Sequence, residues 1–252
     1  MMKTVTVRNV TLGSGLPKVA VPLVDASADE LIAQAKKVAA LAPDVIEWRI
    51  DFYQDVLDED KLAQTARVIR QVIGDIALLV TFRTEGEGGE LALVDDKYFA
   101  LLKTVAKQKM GDLVDVELGH DQAAVQAVVE TAHQNGVKVV MSNHDFAKTP
   151  SKEEQVKRLT AMASLGADVA KIASMPQSSI DVLTVLATTI EANTKLNLPI
   201  ITMSMGDLGK VSRVSGQVFG SALTFATVGK TSAPGQIGLA DLRHDLEDLK
   251  LN

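Results

Sequence analysis

One rhythm runs through this chain from Lys18 onward: a short run of small and branched apolar residues, a break, then a stretch with helical spacing. The apolar runs fall at about 18–24, 44–51, 76–83, 112–118, 137–144, 168–174, 199–205 and 223–229. Runs of this length fit strands covered on both faces, as in a parallel sheet. Helical patterns lie between them. Ser27-Ala28-Asp29-Glu30 reads as a capping box ahead of Leu31, Ala35, Val38 and Ala42 on one face. Val125, Val128, Val129 and Ala132 keep helical spacing, and Asn135-Gly136 ends that helix. A later helix opens at Ser178 to Asp181 and is expected to turn Leu183, Leu186, Ala187 and Ile190 inward, and the last shows Leu242, Leu246 and Leu249. Eight such units, with no proline-rich or low-complexity linker, predict an α/β fold: a (β/α)8 TIM barrel forming a single domain over residues 1–252. Thr4 to Thr11 alternate as a short strand pair, expected to close the barrel bottom. A doubly wound open sheet is the structural alternative, but it wants a glycine-rich nucleotide turn, and no G-x-G-x-x-G separates the first strand from the first helix.

Composition removes several classes of function. The net charge is -6 with acids and bases interspersed, and aromatic residues make up 4%, so nucleic acid is not an expected partner. There is no cysteine, which excludes thiolate catalysis and cysteine-held metals. The histidines at 120, 133, 144 and 244 form no i, i+4 pair, so no metal site is expected. No run of 18 or more apolar residues is present, so no membrane span is expected. The first residues, MMKTVTVRNVTLGSG, lack an apolar signal core, and a cytoplasmic location is the expectation.

The most informative run is Val169-Ala170-Lys171-Ile172-Ala173, which puts a lysine inside an apolar strand. Burial disfavours an ammonium, and an amine held neutral near pH 7 can attack a ketone or aldehyde to form a Schiff base. A lysine paired with a buried carboxylate, or snorkelling to the strand end, is the structural alternative. Barrel chemistry gathers at the carboxyl ends of strands, and polar residues recur there. Glu47, Arg49 and Asp51 share one face of the second run; Arg83 ends the third; Asp115 and Glu117 share a face of the fourth. The fifth ends at Ser142-Asn143-His144 and the seventh at Thr202-Met203-Ser204-Met205. Asp115 and Glu117 fit a structural ion-pair layer equally well, and Met203 and Met205 fit the core. Taken together, charges from successive strands converging on one mouth suit a small, polar, acidic substrate. The Glu85-to-Glu90 loop is rich in glycine, which lets backbone approach a ligand, or it is a solvated acidic turn.

The segments Glu47-Trp48-Arg49, Thr81-Phe82-Arg83, Glu87-Gly88-Gly89-Glu90, Met141-to-Phe146, Lys171-Ile172-Ala173, Met175-to-Ser178, Ile201-to-Met205, Ser212-Arg213, Val218-to-Ser221 and Ser232-to-Gln236 resemble, in order, the type I 3-dehydroquinate dehydratases. The resemblance implies an (α/β)8 barrel, usually a homodimer, without metal or organic cofactor, acting on the small molecule 3-dehydroquinate. It implies that Lys171 forms the imine, that His144 moves the proton, and that Glu87 orients His144. It further implies that Arg213, with Gln236 and Ser232, binds the substrate carboxylate, that Glu47, Arg49 and Arg83 hold ring hydroxyls, and that Met203, Met205 and Phe225 pack on the ring. Two positions depart from relatives: Val21-Pro22 where serine is often found, and Phe52 where histidine can occur. Another Schiff-base barrel enzyme, of the aldolase type, would share Lys171 but has no need of the Glu87 and Ser232-to-Gln236 loops. A non-catalytic ligand-binding barrel would bind without forming an imine.

Overall fold

The structure is a computed structural model and describes residues 3–251. Strands β1 (Val5–Val7) and β2 (Val10–Leu12) form an antiparallel hairpin. Then come β3 (Lys18–Leu23), α1 (Ala28–Ala39), β4 (Val45–Arg49), α2 (Glu59–Ile73), β5 (Ala77–Thr81), α3 (Asp95–Lys107), β6 (Leu113–Glu117) and α4 (Gln122–Gln134). The chain continues through β7 (Lys138–Asp145), α5 (Lys152–Ser164), β8 (Val169–Ser174), α6 (Ser179–Lys195) and β9 (Ile200–Ser204). It ends with α7 (Lys210–Val214), α8 (Gly216–Phe219), β10 (Leu223–Thr227), β11 (Ile237–Gly238) and α9 (Leu239–Asp248). Strands β3 to β9 pair in parallel and in sequence, β10 pairs with β3, and the sheet curls until β9 meets β10 through the Ile200–Ser221 bridge. That last seam is finished by polar groups: Ala222 N donates to Ile200 O, and Thr202 N donates to Ser221 Oγ. The expected barrel is therefore present, with its weakest lateral join between β9 and β10.

Local chemistry sets the helix ends. Ser27 and Glu30 complete the capping box of α1, and Asp58, Asp121 and Ser151 accept a backbone N–H at the starts of α2, α4 and α5. Period-two alternation then sorts the strands. Ile46, Trp48 and Val80 face the helices, in one apolar layer with Leu31, Leu62 and Leu102. Ala20, Val45, Ala77, Leu113, Val140 and Val169 face the lumen and meet Val7 and Leu12 of the hairpin. The hairpin thus closes the amino-terminal end, and each fully buried Val or Leu side chain is worth about 1.5–3 kcal/mol. Higher in the same lumen the lining turns polar, with Glu47, Asp115, Glu117 and Lys171 all buried.

Helix α6 differs from its expected orientation. Of the four residues expected inward only Leu186 is buried; Leu183 and Ile190 are 58% and 50% exposed. The buried face is instead Val182, Val185, Leu186, Thr188, Thr189 and Ala192. Threonine can occupy it because each hydroxyl is satisfied locally: Thr188 donates to Thr184 O, and Thr189 donates to Val185 O. Ala42 and Leu249 are likewise exposed, since α1 ends at Ala39 and Leu249 caps α9.

Candidate active site

Lys171 sits at the centre of β8 and is only 4% exposed. Its Nζ is 4.0 Å from Asp115 Oδ2 and 4.6 Å from the centroid of the Phe225 ring. Burial pulls its pKa below the usual lysine value; Glu47 and Asp115 oppose that shift, and Arg83 and Arg49 add to it. The amine is thereby biased toward its nucleophilic, uncharged form.

Beside it on β7 stands His144. Glu87 Oε2 lies 2.9 Å from His144 Nδ1 and accepts the His144 backbone N–H at 2.9 Å. Burial holds the imidazole well below its ordinary pKa, and the Arg83, Lys171 and Arg49 charges push the same way. A neutral ring that donates through Nδ1 leaves Nε2 as the basic nitrogen. Glu87 is fixed by its other oxygen, which accepts from Asn143 Nδ2 at 2.7 Å, and Asn143 Oδ1 accepts in turn from Arg158 Nη1 at 2.7 Å. Burial raises Glu87 to about 7, against the pull of Arg83.

The loop that delivers Glu87 is tightly tied. Asp51 binds Arg49 through both carboxylate oxygens, at 2.8 Å each, and also accepts the backbone N–H of Arg83 and of Glu90. A short 3-10 turn over Glu85–Glu87 ends at Gly88, whose φ of 84° lies in the left-handed region. A Cβ there would run into the Phe146 ring and force it aside, so glycine is favoured on both counts.

Arg83 forms the floor. It donates to Glu117 (2.7 Å), Asp115 (3.0 Å) and Ser142 (3.0 Å), with Glu87 at 3.5 Å. Asp115 and Glu117 are fully buried, which realises the ion-pair layer open in the sequence. Asp115 Oδ2, the oxygen facing Lys171, has no hydrogen-bond partner.

Arg213 forms the opposite wall. It is 1% exposed, donates to Pro234 O at 2.8 Å, and keeps a buried, unpartnered Nε. Burial, the single cause acting on it, lowers its pKa to about 10. Gln236 closes the nearby loop, its Oε1 accepting from Ser232 N and its Nε2 donating to Ser232 Oγ. Arg49 reaches across to Ser232 O at 3.4 Å.

One cavity brings together every residue expected at the site: Glu47, Arg49, Arg83, Glu87, His144, Lys171, Met203, Met205, Arg213, Phe225, Ser232 and Gln236 line it. Phe146 and Ala233 line it too and were not anticipated; Phe146 lay inside a matching segment but carries no polar group to mark it. Phe52 stacks on the Arg49 guanidinium, 5.0 Å from the ring centroid, so this departure supports a site residue from behind. Among the described residues no group of three or more His, Asp or Glu side chains is arranged to hold a metal ion, and no helix is long and apolar enough to cross a membrane.

A β/α barrel with a desolvated lysine at mid-strand, a carboxylate-bound histidine beside it and an unpaired arginine opposite defines the carbonyl-directed class of barrel lyases. The sequence model of the Type I 3-dehydroquinase family matches residues 19–252, and the chain belongs to that family. It is 56% identical to the 3-dehydroquinate dehydratase of Lactiplantibacillus plantarum over the full length of both chains. Among solved structures it is similar to the type I 3-dehydroquinate dehydratase of Clostridium difficile with covalently modified comenic acid, at 44% identity, TM-score 0.95 and 98% of each chain. The 3-dehydroquinate dehydratase of Geobacillus kaustophilus superposes with a TM-score of 0.96 at 37% identity, over 99% of this chain and 98% of that one.

Proposed function

We propose that this protein is a hydro-lyase that converts 3-dehydroquinate to 3-dehydroshikimate through a Schiff base on Lys171. The observation that carries the mechanism is the enclosure of Lys171, His144 and Glu87 in one cavity, with the amine and the imidazole both biased toward their neutral forms.

Lys171 Nζ adds to the ring ketone, and the carbonyl oxygen leaves as water to give a protonated imine. Neutral His144 takes a proton from the adjacent carbon, and that electron pair is delocalised onto the imine nitrogen as an enamine. The pair then returns and expels the hydroxyl on the next carbon, which receives the proton from His144 and departs as water. Hydrolysis of the unsaturated imine frees the product and restores Lys171. The iminium charge forms where Asp115 Oδ2 and the Phe225 face already stand, so its stabilisation needs no rearrangement. Glu87 keeps His144 in the Nδ1–H form throughout. Arg213 takes the substrate carboxylate, since it is a buried guanidinium with unused donors, and Ser232 and Gln236 hold the loop above it. Glu47 and Arg49 serve the ring hydroxyls. Arg83, already occupied by four acceptors, acts on them chiefly by holding the acidic floor.

Two further features belong to this reading. Residues 1–252 act as one barrel domain, located in the cytoplasm, and the chain pairs as a homodimer. Support for pairing comes from exposed Ile180, Leu183 and Ile190 on α6 and from Leu208, Val211 and Val218 on or beside α7 and α8, which pack against α6. Sedimentation of the purified protein at the mass of two chains is the expected result, and a single-chain mass would contradict it. For the activity, the purified protein is given 3-dehydroquinate, and formation of the conjugated ketone is followed by absorbance. Turnover is expected; its absence from folded protein would overturn the assignment.

A further inference from the structure

Outside the cavity, His120 stands in the loop between β6 and α4 and is joined to the site by a continuous chain of polar contacts. Its Nε2 is 3.3 Å from Glu117 Oε2, and its Nδ1 is 3.1 Å from Asp95 Oδ1 at the start of α3. The ring stacks on Tyr98, with centroids 4.7 Å apart and planes 23° apart, and meets Phe99 edge-on. Glu117 passes the connection inward: Arg83 Nη1 donates to its Oε1 at 2.7 Å, and Arg83 is 3.5 Å from Glu87 Oε2, the oxygen that holds His144. Glu117 also fixes the start of the Glu87 loop, accepting from Thr84 N and Thr84 Oγ1.

We infer that His120 is a positioning residue for the dehydratase reaction, acting through Glu117 and Arg83 to hold Glu87 ionised and aimed at His144. The inference rests on the function proposed above. The titratable groups that face the ring are Asp95 and Tyr98 from α3 and Glu117 from β6; Arg83 stands behind Glu117, and Asp115 and Glu87 complete the cluster. Two acids face His120 directly, and its hydrogen bond to Glu117, with Asp95 assisting, raises its pKa. Glu117 sits at about 2: burial works to raise it, and the bonds from His120, Arg83 and Thr84 outweigh burial. A cation at His120 neutralises the outer side of a buried acidic cluster, leaving more of the Arg83 charge for Glu87. Without it, Glu117 draws more of that charge to itself, and Glu87 takes up a proton at higher pH. Protonated Glu87 is a weaker acceptor and its O–H competes to donate to Nδ1, so the tautomer that makes Nε2 of His144 basic is no longer enforced.

The test compares His120→Leu, His120→Gln and Asp95→Asn with the parent enzyme, measuring kcat and KM for 3-dehydroquinate across pH, with circular dichroism as the check on folding. Leucine removes both the charge and the donor. The acid limb of kcat/KM should move up, by less than the roughly 1–3 pH units expected when a directly facing opposite charge is lost, because His120 reaches Glu87 only through Glu117 and Arg83, while KM at the pH optimum stays unchanged. Glutamine keeps a donor for Glu117 and should show a smaller shift. Asp95→Asn, at an exposed position, should shift the limb in the same direction and decides the matter if the leucine variant does not fold. Identical pH profiles in folded variants, beside an active parent, would overturn the inference alone; an inactive parent would instead overturn the proposed function.

Discussion

Glu87 Oε2 accepts from the backbone N–H of His144 and stands 2.9 Å from Nδ1 of the same residue, so one carboxylate oxygen fixes both the strand and the ring. The contact decides which imidazole nitrogen is basic, as in other carboxylate–histidine pairs. Replacing Glu87 with Gln keeps the size and removes the charge. We expect kcat to fall by about 10²-fold or more, the range assigned to a displaced general acid–base group, with KM little changed. Steady-state kinetics on the purified variant checks this, and an unchanged kcat would remove Glu87 from the mechanism.

The buried imidazole also links stability to pH. The unfolded chain binds a proton at His144 near the ordinary value of 6.5, while the native site binds it only at much lower pH. Below 6.5 the unfolded state therefore holds more protons at this position, and stability is lost as pH falls from there. Thermal melts from pH 7.5 down to 5 should show a smaller loss of Tm in His144→Gln than in the parent protein. Parallel curves would show that the native histidine is not desolvated.

Arg213 is the clearest case of a charge held in readiness. It lies almost wholly inside the protein and donates to a carbonyl oxygen and a thioether rather than to a carboxylate. If it pairs with the substrate carboxylate, Arg213→Ala should cost about 2–5 kcal/mol in substrate binding, the range for truncating one side of a buried ion pair. The loss should appear in KM rather than in imine formation. An unaltered KM would place the carboxylate elsewhere.

Gly88 couples the Glu87 loop to the cavity wall. An alanine would meet the Phe146 ring and would hold a left-handed φ at a cost of order 1–3 kcal/mol. Gly88→Ala should therefore lower both Tm and kcat, while Gly86→Ala, where a Cβ has open space beyond Thr84 Oγ1 at 3.9 Å, should lower neither. Equal behaviour of the two variants would contradict this account of the loop.

Much of the architecture was legible in the sequence because strand and helix periods differ and recur. Burial of Lys171 followed from its apolar neighbours on β8, and the polar lumen followed from alternation in β4 and β6. Other features were hidden for physical reasons. Leucine and isoleucine spacing points to the wrong inward face of α6, because locally bonded threonines fill the buried one. Asn143 and Arg158 act through partners distant in sequence, and although His120 meets Glu117 three residues away, only tertiary packing brings Arg158 to Asn143, His120 to Asp95 and Glu117 to Arg83. The further contacts of Arg83 to Asp115, Glu117 and Ser142 were hidden because they depend on three strands meeting at one level.

The claim on which the account turns is that Lys171 becomes covalently bound to substrate. Incubation with 3-dehydroquinate and borohydride, followed by mass spectrometry and peptide mapping, tests it directly. A substrate-sized adduct on the peptide containing Lys171, absent from Lys171→Ala, is the predicted result. Folded protein that turns over substrate without an adduct, or that carries the adduct on another lysine, would contradict it.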